Sequence, residues 1–479
     1  MRVFLIVAIL LLAPLAQALP QQQQWFSVLL DGRKIGHFET SRSETDGVVT
    51  THQVLDIEFD RAGTPIAMGS SETSEETVAG EPLGFTARTH LGGNETGVEG
   101  RLDGATLKLR VNNDGQWRER EMAWPANALL AEGLRLASLK VPLEVGRQHR
   151  ELSFQPSSLD AIEVTSTVGE RESVDLPDRT LSLQRIDQVF NFAGTPVRNT
   201  AWVDEERDVH KLTMPAIGVD LTLVACSEAC AMAPNQGSDI FEHTLMPSPR
   251  ALRARELANG LRYTIRPHDH EAPMHIPQTS EQTVRRKGRN LVVEVRREAD
   301  PDFGDAPAPA DFAANDWLQS SSEEIVALAR SATAGLDDDG ERMQALESFV
   351  RGYISDKNLG VGYASALQVA RNPEGDCTEH AVLLAALGRS IGIATRVVDG
   401  LAYAPGFAKS RHVFVPHAWI QAWVNGSWRS YDAALAGFDA GHIAFSTGDG
   451  DPWRFYQGLD LLGRTRLQSV APLDVSRRE

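Results

Sequence analysis

Residues 375–387 read Gly-Asp-Cys-Thr-Glu-His-Ala-Val-Leu-Leu-Ala-Ala-Leu, a polar opening that turns directly into an apolar run. Pro373 and Gly375 disfavour an earlier helix start and Asp376 is a good N-cap, so the spacing predicts a helix from Asp376 or Cys377. Val382, Leu383, Leu384, Ala385, Ala386 and Leu387 cover its whole circumference, which predicts burial. Cys377 then stands at the positive end of a helix dipole, beside backbone N–H groups that favour thiolate and can face an oxyanion. Position alone fits a small buried hydrophobe equally well, the commonest fate of a free cysteine.

Downstream, residues 417–432 read His-Ala-Trp-Ile-Gln-Ala-Trp-Val-Asn-Gly-Ser-Trp-Arg-Ser-Tyr-Asp. Asn425-Gly426 between two such runs signals a two-residue hairpin, with Val424 opposite Ser427, Trp423 opposite Trp428, and so back to Trp419 opposite Asp432. His417 shares a face with Trp419, so His417 and Asp432 are predicted to be diagonal neighbours within hydrogen-bond reach. Such a bond fixes the tautomer and leaves the other ring nitrogen to take a thiol proton. Taken singly, His417 reads as a structural histidine and Asp432 as a strand-end cap; their joint placement points to chemistry. Trp423 and Trp428 read as cross-strand packing.

The set Gly375-Asp376-Cys377-Thr378-Glu379, then Leu387-Gly388-Arg389-Ser390-Ile391-Gly392-Ile393-Ala394-Thr395-Arg396, then His417-Ala418-Trp419, Trp428 and Asp432, resembles the transglutaminase-like core of the papain-like thiol enzymes, over residues 317–475. The resemblance implies an α+β fold with the nucleophile helix packed on an antiparallel sheet. It implies Cys377 as nucleophile, His417 as base and later acid, and Asp432 as orienter, with no cofactor and no metal. The reaction would pass through a thioester on an amide carbonyl: water as acceptor gives protease- or amidase-like hydrolysis, the default, and an amine gives protein-glutamine transamidation. The Cys377 N–H is the first oxyanion donor; Gln368, Tyr363 and Trp419 are further oxyanion or substrate candidates. A reading from another class makes the domain a non-catalytic binding or assembly module, with the β region as the functional part. The intact Cys–His–Asp set weighs against it.

The rest of the chain is β-rich. Residues 20–235 alternate in short segments such as Trp25–Leu30, Val54–Phe59, Thr106–Val111 and Arg198–Val203, separated by Asp31-Gly32, Asp46-Gly47, Asp103-Gly104 and Asn113-Asp114-Gly115. A helical pattern at Ala126–Ala137 marks a candidate seam between two subdomains. Residues 236–300 read as a small β unit with strands at Arg262–Ile265 and Leu291–Val295, and the Pro- and Ala-rich 301–316 as a linker. Ser320 and Ser321 before Glu323 and Glu324 open one helix, and a second runs from Glu341 to Ile354. Superfamily members in bacteria often carry β-rich periplasmic extensions, and the resemblance places this chain among them.

Sixty-five acidic against 47 basic side chains give a formal net charge of −18, which repels nucleic-acid backbones and anionic lipid. Arg2, the apolar run Val3–Ala13 and the small-x-small Ala16-Gln17-Ala18 predict a signal peptide over 1–18 and a periplasmic protein. The run is short of the ~20 apolar residues that span a bilayer. The expected partner is a protein or peptide substrate in the cell envelope, without nucleic acid or membrane span; the oligomeric state is not legible. In an oxidising compartment Cys226 and Cys230 are the candidate disulfide, which leaves Cys377 unpaired.

Other polar clusters read as ordinary surface. His380, one turn from Cys377 on the same helix, reads as packing or surface, and His412 as a loop residue. His268, His270 and His275 form a solvated loop. Asp337-Asp338-Asp339-Gly340 lacks calcium-loop ligands and reads as the start of the next helix. Asn94-Glu95-Thr96 matches a glycosylation acceptor that matters only in a eukaryotic pathway. The helix-start argument predicts that iodoacetamide labels Cys377 well below pH ~8 and that His417→Ala slows the reaction.

Overall fold

The computed structural model describes residues 22–92, 94–112, 117–192, 195–216, 219–239, 244–268, 276–301, 303–304, 306–361, 363–450 and 465–473. The predicted signal peptide, Asn113-Asp114-Gly115, His270 and His275 lie outside them. The chain divides into two compact units, one ending at Ser238 and the other beginning at Asp239, with residues 61–64 counted in the second. None of the described helices is long and apolar enough to cross a membrane.

In the first unit fifteen strands form one sheet. The Asp-Gly signals make the tight turns they predict: Asp31 and Gly32 sit at φ 48° and 74°, Asp46 and Gly47 at 53° and 78°, the left-handed region that primed hairpin turns require. The first strand, Gln22–Leu30, pairs both with Arg33–Thr45 and with Val219–Cys226, so Phe26 lies opposite Phe38 on one side and Ala225 on the other. The two ends of the region therefore meet inside the sheet, and its edges are Trp117–Ala123 and the two-residue Ala128–Leu129. Alternation buries one face; Leu107, Leu109 and Val111 pack with Phe85 and Phe154.

The helix read at Ala126–Ala137 is shorter and later, Ala131–Leu139, because Ala128–Leu129 is drawn into the sheet. Leu130 precedes it and offers no side-chain cap. Glu76, from the Thr64–Thr77 strand, supplies the missing acceptor, taking the N–H groups of Glu132 at 2.6 Å and Gly133 at 2.8 Å. Its carboxyl is fully buried, and burial pushes it up to about 7. Glu76→Ala leaves two buried donors without an acceptor, so chemical denaturation should show a loss of about 1–3 kcal/mol, with Glu76→Gln, which offers one acceptor oxygen for the two donors, recovering only part of it.

The second unit is α+β. Its central helix, Cys377–Ser390, starts where the cap signals predict and is buried at every position from Thr378 to Arg389. Helices Glu323–Ala332, Asp339–Tyr353 and Ala366–Arg371 pack around it, and it rests on the strands Ser410–Val424 and Thr395–Phe407. His442–Gly448 adds to the far side of Thr395–Phe407, while Ser427–Tyr431 pairs with Ser410–Val424. Asp338 caps its helix, accepting the Glu341 N–H at 3.0 Å, as the acidic run implies. Ser322, rather than Ser320 or Ser321, precedes Glu323–Ala332. The strands read near 262 and 291 extend to Gly260–Pro267 and Asn290–Arg296; with Gln282–Lys287 they form a sheet whose fourth strand is Thr465–Pro472. That last pairing joins segments too far apart in sequence for local pattern to show.

Candidate active site

The start of the Cys377 helix is held by a reciprocal cap. Asp376 Oδ1 accepts the Thr378 N–H at 2.9 Å, and Glu379 Oε2 accepts the Asp376 N–H at 2.9 Å. Glu379 is fully buried, with Oε1 taking the Ala364 N–H at 2.8 Å. Gly375 makes this possible: it sits at φ +138°, and a Cβ there would lie 2.3 Å from Glu379 Cγ. Arg61 reaches Asp376 Oδ2 at 2.7 Å. Burial opposes charge on Asp376, but Arg61 and the Thr378 N–H prevail and hold its carboxyl below the usual range. Glu379, buried and beside that charge, is pushed up to about 8. At neutral pH Glu379 therefore keeps its proton while Asp376 is ionised.

This changes the expectation for the thiol. Cys377 is half-buried, and burial, followed by the adjacent Asp376 charge, pushes its thiol up; the Ala418 N–H and Arg61 act in the opposite direction. The dipole argument left out the carboxylate that caps the same helix. Iodoacetamide labelling of Cys377 should accordingly rise only on the alkaline side, a correction to the sequence reading, and Asp376→Asn should move that rise to lower pH. The helix that Cys377 begins packs on the strand Ser410–Val424, which carries His417.

The hairpin has the predicted register, Val424 opposite Ser427 and Trp423 opposite Trp428, with Asn425 and Gly426 at φ 51° and 80°. His417 Nε2 donates to Asp432 Oδ2 at 2.8 Å, which leaves Nδ1 as the nitrogen not engaged by the carboxylate. Asp432 is only 1% exposed. Its Oδ1 accepts the N–H groups of Ala434 at 2.8 Å and Leu435 at 3.1 Å. Its own N–H donates to Glu347 Oε1 at 2.8 Å, and its carbonyl accepts from Arg351 at 2.9 Å. Burial works against its charge, but His417 and then His442 hold the carboxyl far below the ordinary carboxylate range.

His442 escaped the sequence reading. Its Nε2 lies 3.0 Å from Asp432 Oδ2, beside the His417 contact. It arrives from His442–Gly448, and no local motif marks it. Gly400, opposite His417, permits the close approach of that strand: a Cβ there would sit 2.0 Å from the Ile443 carbonyl oxygen. Ligand atoms of His417, Asp432 and His442 lie within 4.8 Å of one another, but both imidazoles direct Nε2 at the one carboxylate oxygen, the arrangement of a hydrogen-bonded array.

The further oxyanion and substrate candidates fall elsewhere. Tyr363 is buried with its hydroxyl donating to the Gly450 carbonyl at 2.8 Å, and the Gln368 side-chain oxygen accepts the Ser365 N–H at 2.8 Å as a cap. Trp419, 2% exposed, stacks beside His417 and meets His442 edge-on, so it walls the imidazoles instead of facing substrate. His380 is buried, with Nδ1 2.6 Å from the Asp376 carbonyl oxygen, and burial lowers its basicity. His412 sits at φ +53° with Nδ1 3.0 Å from the Tyr403 hydroxyl. In the first unit Cys226 and Cys230 are unbridged thiols, with the Ser27 hydroxyl 3.5 Å from one sulfur and 3.6 Å from the other.

Folding couples to the Glu379 proton. Its pKa rises from 4.5 to about 8, so the native state holds a proton that the unfolded chain releases between those values, and stability falls as pH rises through that window. Denaturation midpoints followed across it should fall for the wild type and run flatter for Glu379→Gln, which keeps a donor toward Asp376.

Residues 326–433 match the family model described as the transglutaminase-like superfamily. Among solved structures, the "Putative Cysteine Protease" of Cytophaga hutchinsonii is 13% identical with a TM-score of 0.30, the match covering 47% of this chain and 83% of that one. A β-barrel-like protein of a domain of unknown function from Brucella abortus is 11% identical with a TM-score of 0.36, covering 44% of this chain and 98% of that one. No curated protein matches the chain. The helix that carries Cys377 and the hairpin that carries His417 and Asp432 thus lie within the segment, 326–433, that matches the transglutaminase-like superfamily.

Proposed function

We propose that the protein is a thiol enzyme acting on amide bonds, with Cys377 as nucleophile, His417 as base and acid, and Asp432 as orienter. One observation carries the reading: a buried carboxylate takes His417 Nε2–H at 2.8 Å, on a strand against which the helix begun by Cys377 packs. With the resting thiol protonated, attack is base-assisted. His417 Nδ1 takes the thiol proton as the sulfur adds to the amide carbonyl, the C–N bond then breaks, and the same proton passes to the leaving amine. A thioester remains on Cys377. Water, activated by the now neutral His417, adds to it and releases the acid, with hydrolysis the default outcome and transfer to an amine the alternative.

The predicted leader supports a periplasmic setting and therefore a protein or peptide of the cell envelope as substrate. We propose also that Cys226 and Cys230 close to a disulfide there, which mass analysis of alkylated, unreduced protein would read directly.

The deciding experiment incubates wild type and Cys377→Ala with cell-envelope extract and follows new termini, released ammonia and an acylated Cys377 by mass spectrometry. New termini with the wild type alone mark a protease, and ammonia without cleavage marks glutamine chemistry. Equal products from both proteins would sink the enzyme reading. Asp432→Asn should lower turnover by about 100-fold or more, because an amide can present its N–H to His417 and reverse the tautomer.

A further inference from the structure

We propose that His442 is a positioning residue, a cation clamped between Asp432 and Asp439 that fixes the Asp432 carboxylate against His417. The inference rests on the thiol-enzyme reading and deepens it.

Both ring nitrogens of His442 face carboxylates. Nε2 is 3.0 Å from Asp432 Oδ2; Nδ1 is 3.1 Å from Asp439 Oδ1 and 3.1 Å from the Asp439 carbonyl oxygen. Carboxylates only accept, so each nitrogen carries a hydrogen and the ring is an imidazolium. The opposing contact, the Asp439 N–H toward Nδ1, is longer at 3.3 Å. Burial disfavours that charge, yet the hydrogen bonds of Asp432 and Asp439 raise the ring to about 9. The charged groups facing it are Asp432 and Asp439, with the titratable His417 beside them; Trp419 and Phe438 supply the rest of its packing.

One consequence follows. The second donor on Oδ2 holds the carboxylate in the plane that His417 needs, from a strand on the opposite side of His417 from the Asp432 hairpin.

The test is the pH dependence of iodoacetamide labelling at Cys377, which needs no substrate, in wild type, His442→Gln, Asp439→Asn and His417→Ala, with circular dichroism checking the fold. His442→Gln replaces a charged donor to Asp432 with a neutral one and loosens the carboxylate that holds His417, so the labelling rate near neutral pH should fall by about tenfold toward that of His417→Ala, while kcat on any substrate found falls by about the same factor with KM little changed. Asp439 is partly exposed, so Asp439→Asn should fold and give a smaller fall in the same direction. An unchanged or faster rate in Asp439→Asn, or in folded His442→Gln, overturns the inference. If His417→Ala also leaves labelling untouched, the thiol-enzyme reading falls with it; if His417→Ala alters labelling and the other two do not, only the role of His442 falls.

Discussion

A carboxylate that is 1% exposed keeps its charge only where its lone pairs find donors, and Asp432 finds four: two backbone N–H groups on Oδ1 and two imidazoles on Oδ2. Satisfying it requires parts from distant stretches. The hairpin brings His417, the following turn brings Ala434 and Leu435, and His442–Gly448 brings the second imidazole. Glu347 and Arg351, from one helix, hold the Asp432 backbone from behind. Removing one partner would strand part of a buried charge, so the array specifies the packing of helix against sheet as well as the chemistry.

The Cys377 side is built on the same principle with a different outcome. Asp376 and Glu379 meet at a helix start where two full charges would repel, and the conflict resolves by one keeping its proton. Arg61 decides which of the two ionises. The thiol consequently sits beside a fixed anion that, after burial, pushes it up.

Much of this was legible because it is local. The start of the Cys377 helix follows from Pro373, Gly375 and Asp376, its burial from an apolar run, and the His417–Asp432 bond from a two-residue turn that fixes register. The misses have physical reasons. The Tyr363 hydroxyl, buried, takes the nearest acceptor, the Gly450 carbonyl, and the half-buried Gln368 turns its side-chain oxygen to the Ser365 N–H as a cap. The dipole argument for Cys377 omits the neighbouring carboxyl pair, whose protonation depends on burial and on Arg61, which sequence does not place.

The sequence by itself determined the α+β class of the second unit, the start of the Cys377 helix and the His417–Asp432 bond, because each rests on short-range periodicity, capping or turn geometry; its motifs carry the transglutaminase-like resemblance that groups Cys377 with that pair. Only the tertiary structure decided that the thiol is raised, that Glu76 caps a helix from a strand, that Thr465–Pro472 completes a sheet, and that His442 shares the carboxylate of Asp432. Those depend on which elements packing sets side by side and on what it buries, which local pattern does not fix.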